Sequence, residues 1–153
     1  MRKAYRIIAD LIAILVAVQA MVMVFAVSGL FHWINDGGGK VDKAVFDSWE
    51  KDHPTFQGAI GVPLHEMIGM YLIPLLGLAL LVVAYLAHVE GGVRWAAIIL
   101  VSIVIQVGAG LAAGGAPWVG LIHGLNAFAL FSVAIVAARA AHPGAQTAVA
   151  ATP

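Results

Sequence analysis

"RWAAIILVSIVIQVGAGLAAGGAPWVGLIHGLNAFALFSVAIVAAR", residues 94–139, runs from one arginine to another with no charged side chain between them. A membrane-spanning helix needs about 20 apolar residues, so this run is long enough for two spans. It also holds their connection, "GGAPW", in which Gly114, Gly115 and Pro117 supply turn residues. The reading predicts a helical hairpin within a bilayer, with helices over 94–113 and 117–140. Two more uncharged gaps, from Asp10 to Asp36 and from Glu66 to Glu90, each accommodate one span, placed at 7–33 and 62–88. The expected architecture is an all-α integral membrane four-helix bundle over residues 1–140, with a flexible tail over 141–153.

Composition agrees. The chain of 153 residues is 62% hydrophobic and 10% charged, whereas a soluble domain is about half apolar and about a quarter charged. It contains no cysteine, which excludes a disulfide framework and thiolate ligation of zinc or haem, and leaves histidine as the leading ligand type. The formal net charge is zero, so a nucleic-acid partner, which needs a basic surface, is not expected.

Basic residues set the expected orientation. Arg2, Lys3, Arg6, Arg94 and Arg139 fall on one side of the four spans, and Lys40, Lys43 and Lys51 on the other. The positive-inside rule then places both termini in the cytoplasm, with residues 34–61 as an outer loop. A cleaved signal peptide is the alternative for the first segment, but its apolar run exceeds a usual signal core. In the loop, Asp42 is suited to cap a short helix whose Val45, Phe46 and Trp49 share a face, lying on the membrane surface or over the bundle.

The four spans read as two hairpins in parallel repeat. "VQAMVMVFAVSG" in the first matches "IQVGAGLAAGG" in the third, and "PLHEMIGMYLIPLLGLAL" in the second matches "LIHGLNAFALFSVAIVAA" in the fourth. Gln19 aligns with Gln106, and His65 with His123. A pseudo-two-fold axis along the membrane normal is expected, with both histidines within about two turns of the outer ends of helices that run the same way.

Two imidazoles at a common depth suit the axial positions of a single haem iron in a bundle core. The other reading of the same residues is interhelical hydrogen bonding. Gly69 beside His65, and Asn126 one turn inward of His123, leave room for a macrocycle. So does the thin face formed by Ser102, Gln106 and Gly110, which fits a flat ligand or a neighbouring helix equally well. Gln19 and Gln106 are expected to bond across helices. Glu66 points about 100° away from His65 and reads as a surface group, His32 is a reserve ligand, and His53, His88 and His142 lack partners at a matching depth. Pro74 should kink the second span.

The basic start, "AVQA", "GVRWAAIIL" and "LIHGLNAFALFSVA" together resemble a family of small four-helix membrane proteins, mostly actinobacterial, catalogued as a domain of unknown function (the DUF6220 type). The resemblance covers about residues 1–140. The fourth span is also similar to the fourth helix in each half of haem A synthase, where histidines near the outer ends of helices 2 and 4 hold haem. That likeness implies His65 and His123 as ligands. It does not extend to haem hydroxylation. Position 62 is valine where that pattern carries a glutamate, and the outer loop has no arginine for the propionates.

The sequence expectation is a haem b protein with His65 and His123 on the iron, and Gly69, Asn126, Gln106 and Gly110 lining the cofactor. It would transfer electrons, with quinone as one candidate partner, or handle haem near the outer face. The alternatives are a cofactor-free subunit of a larger membrane complex and a binder of quinone or lipid. A homo-oligomer is left open.

Overall fold

The computed structural model describes residues 1–49, 51–52 and 54–141. The expectations for His53, for His142 and for the tail beyond Ala141 fall outside them. Four helices are long and apolar enough to cross a membrane: Arg2–Asn35, Gly61–Ala87, Gly92–Ala113 and Val119–Ala140. No strand occurs among the described residues. The protein is an all-α membrane protein of the four-helix bundle class. In chain order the helices are α1 (Arg2–Asn35), α2 (Lys43–Ser48), α3 (Gly61–Met67), α4 (Ile73–Ala87), α5 (Gly92–Ala113) and α6 (Val119–Ala140), with α3 and α4 forming one span through a π turn at Ile68–Leu72.

That π turn is the response to Pro74. Proline has no N–H to bond the carbonyl four residues back, and its ring crowds that carbonyl. Here the disturbance is accommodated by one widened turn just before the proline, a common form of helix irregularity.

Contacts divide the chain into two compact units. One comprises Met1–Ala17 and the chain from Gly69 onward. In it Tyr5, Ala9, Ile12, Ala13 and Val16 form the buried stripe of α1, at the i, i+4, i+7 spacing of a single helix face. The Tyr5 hydroxyl donates to the Gly92 carbonyl at 3.2 Å, which sets the first turns of α1 and α5 at one level. α6 buries Leu130, Ala134, Ala137 and Ala138, mostly small residues of the kind that lets membrane helices approach closely. At Gly77 of α4 a methyl group would lie 2.6 Å from Ile103 Cδ1, so the isoleucine side chain of α5 packs directly over the glycine.

The other unit is Val18–Ile68. Its loop after α1 folds around α2, whose first turn is capped, as expected, by Asp42 Oδ1 accepting from the Val45 N–H at 2.9 Å. Trp49 ends that helix and packs on Trp33 and Phe56, with ring centroids 6.2 and 5.8 Å away. Phe46 lies 5.2 Å from Trp49 and stays 59% exposed. α1 meets α3 and the turn before it through glycine: a Cβ at Gly61 would clash with the Val22 carbonyl oxygen, and one at Gly29 with that of Gln57.

Candidate functional site

Polar groups in hydrocarbon seek partners within the protein, and here two clamps supply them, except to Gln19 Oε1. In the Val18–Ile68 unit, Gln19 of α1 and His65 of α3 bond reciprocally. The Gln19 amide donates to the His65 carbonyl at 3.1 Å, and His65 Nδ1 donates to the Gln19 carbonyl at 3.3 Å. In the other unit, His123 Nδ1 of α6 donates to the Gln106 carbonyl of α5 at 3.0 Å. Each histidine is therefore tethered by Nδ1 to the backbone carbonyl of a glutamine, and the two glutamines, like the two histidines, are the positions that the internal repeat aligns. Each is also the fifth residue of its span, counting from Gly61 and from Val119.

The second clamp continues as a chain of side chains whose directions are fixed from both ends. The Ser102 carbonyl can only accept, so the Asn126 group 2.9 Å from it is the amide nitrogen. The same nitrogen donates to Gln106 Oε1 at 2.7 Å, and Asn126 Oδ1 accepts from the Ser102 hydroxyl at 2.9 Å. Gln106 Nε2 is consequently a donor, and it meets His123 Nε2 at 3.1 Å. His123 is thus a neutral imidazole with its hydrogen on Nδ1 and its lone pair on Nε2.

Ser102, Gln106, Gly110, His123 and Asn126 are brought together. The thin face of α5 lies against α6: a Cβ at Gly110 would sit 3.1 Å from His123 Cε1, so glycine makes room for the ring edge. Gly69 lies within the π turn and is half-buried. Glu66 is exposed, as the surface reading expected. His32, the reserve ligand, is an exposed partner of Asp36 at 2.8 Å.

The clamps differ in one respect. Gln106 Oε1 has its donor in Asn126, three residues beyond His123, whereas the position three beyond His65 is Ile68, and Gln19 Oε1 is buried with no hydrogen-bond partner. The sequence places Ser102 and Gln106 on one face and Asn126 beside His123, but does not show that these two faces bond to each other. The available signal was two dyads, Ser102 with Gln106 four apart and His123 with Asn126 three apart, on consecutive spans that are otherwise nearly apolar.

These features define a class: an integral membrane protein of four helices in which histidine and glutamine join helix pairs inside the apolar layer. No family model matches the chain, and no curated protein or solved structure matches it significantly.

Proposed function

We propose that the protein binds haem b, which Nε2 of His65 and Nε2 of His123 would hold, in a bacterial cytoplasmic membrane with both termini inside. The duplicated tether carries this reading. A metal-ligating histidine characteristically donates its other ring N–H to a carbonyl or carboxylate, which fixes the tautomer and the ring orientation and raises the basicity of the ligating nitrogen. Both histidines have that bond, on matching partners, at the same register in their helices. The donor set fits haem in tautomer and ligand type, and at His123 it requires Gln106 Nε2 to release the imidazole. A haem with two histidine ligands supplies one-electron transfer and keeps no open position for oxygen. The protein's part is to hold each ring by its Nδ1–H and to surround it with apolar helix.

The test is a visible spectrum of the protein purified in mild detergent, oxidised and then reduced with dithionite. Resolved α and β bands on reduction are expected, and His65→Ala and His123→Ala should each lose them with helical content unchanged. A colourless protein after haem supplementation, or haem retained by both variants, overturns the reading.

The Gln106 to His123 bond favours a second reading, a cofactor-free subunit in which the clamps only join helices. It predicts a colourless protein that co-purifies with a partner in fixed ratio.

Orientation has its own check. The chain has no cysteine, so Ser48→Cys, in the exposed part of the outer loop, should react in intact cells with a membrane-impermeant maleimide. Labelling only after lysis would reverse the topology.

A further inference from the structure

An open cleft of about 280 Å³ lies where the first turns of α1 meet the last turn of α6, lined by Arg6, Asp10, Ala138 and Arg139. We infer that this cleft binds the headgroup of an anionic phospholipid, with Arg6 and Arg139 on the phosphodiester and Asp10 accepting from headgroup hydroxyls. The level of the cleft is that of a membrane surface. The Tyr5 hydroxyl bonds the Gly92 carbonyl at the start of α5, so the first turn of α1 and the turn between α4 and α5 share one face with the end of α6. Arg2, Lys3, Arg6, Arg94 and Arg139 lie on that face against Asp10 and Glu90, giving it about +3.

Within the cleft, two guanidiniums and one carboxylate leave a net charge of +1. A guanidinium presents five N–H donors in a planar fork that matches phosphate oxygens, so each arginine can bind a phosphodiester while keeping another partner. A phosphatidylglycerol headgroup complements the lining with one negative charge and free hydroxyls for Asp10. Ile7, Leu11 and Ile14, which follow the cleft residues along α1, and Val136, just before them on α6, are exposed, offering apolar surface to acyl chains. Basic pockets between spanning helices at a membrane face are established sites for acidic lipid headgroups.

The inference does not depend on haem. It is tested by native mass spectrometry of the delipidated protein with phosphatidylglycerol, phosphatidylethanolamine or phosphatidylcholine in mixed micelles, and with inorganic phosphate alone. Phosphatidylglycerol should be retained in preference to both zwitterionic lipids. Arg139→Gln should weaken that retention about fivefold, and Arg6→Gln with Arg139→Gln roughly 30-fold, while Arg94→Gln, which does not line the cleft, changes it little. Arg139→Lys keeps the charge and should retain most of the preference if the double variant is poorly folded. Equal retention of all three lipids, stronger retention of phosphatidylethanolamine, or equal losses from Arg94→Gln and Arg139→Gln would each overturn the inference. Binding of inorganic phosphate with no preference among the lipids would show an anion site that is not a lipid site, and would overturn it too.

Discussion

Gly61→Val is expected to unfold the Val18–Ile68 unit, lowering stability by about 3 kcal/mol or more. A Cβ at position 61 meets main chain: it would overlap the Val22 carbonyl oxygen, and it would stand 3.0 Å from Ala26 Cβ and 3.1 Å from the Val22 carbonyl carbon. A flexible side chain gives way cheaply, whereas a helix backbone moves as a body, so α3 must shift relative to α1. That shift breaks the reciprocal Gln19 and His65 bonds, which join the same two helices one turn further along. Trp33 and Trp49 of the aromatic cluster provide the readout, because their fluorescence should shift to that of solvated tryptophan at a lower temperature than in the parent protein. Gly120→Ala and Gly124→Ala serve as controls. A Cβ at either finds nothing within 4 Å, so each should be neutral or stabilising by up to about 1 kcal/mol. If Gly61→Val melts with the controls, the close approach of α1 and α3 is not a determinant of stability.

The contrast between these glycines shows what the sequence could not convey. All four spans were legible because long uncharged runs have few other uses; the last three begin and end within two residues of expectation, whereas α1 begins five residues earlier, at Arg2. The Asp42 cap was legible as well, since capping depends on residues three apart. The π turn was not. Pro74 announces a disturbance, but whether it becomes a bend or a widened turn depends on what packs around it. Nor can a glycine that abuts a backbone, such as Gly61, be told in sequence from one that faces open space, such as Gly124.

The site was legible as residue types and as a pairing. Repeat matching aligned Gln19 with Gln106 and His65 with His123, and the structure adds that each histidine meets the glutamine of its own hairpin through the same atoms. What sequence lacked was direction. The linkage from Ser102 through Asn126 and Gln106 to His123 depends on which end of each amide faces which neighbour, and two backbone carbonyls settle that. Sequence likewise gave no sign that Arg6, Asp10 and Arg139 share a cleft, since more than a hundred residues separate the two arginines.

Gln106→Leu separates the two readings of the histidines. Leucine removes the amide that donates to His123 Nε2 and the oxygen that accepts from Asn126, while the tether from Nδ1 to the residue 106 carbonyl remains because it uses only main chain. Asn126 keeps its bonds with Ser102. Loss of the interhelical bonds should cost about 1–2 kcal/mol in stability, at the upper end for such bonds in membranes. If His123 ligates haem, the same change relieves the competition for Nε2 and should tighten haem binding by about 5- to 30-fold, measured by titrating the Soret band. Gln19→Leu is the comparator. It removes one donor together with a buried acceptor that has no partner, so its stability cost should be about 1 kcal/mol smaller. Weaker haem binding in Gln106→Leu would mean that this glutamine supports the cofactor instead of competing with it. Absence of haem from both the parent and the variant, with the stability loss intact, would leave the clamp as the whole purpose of the histidine.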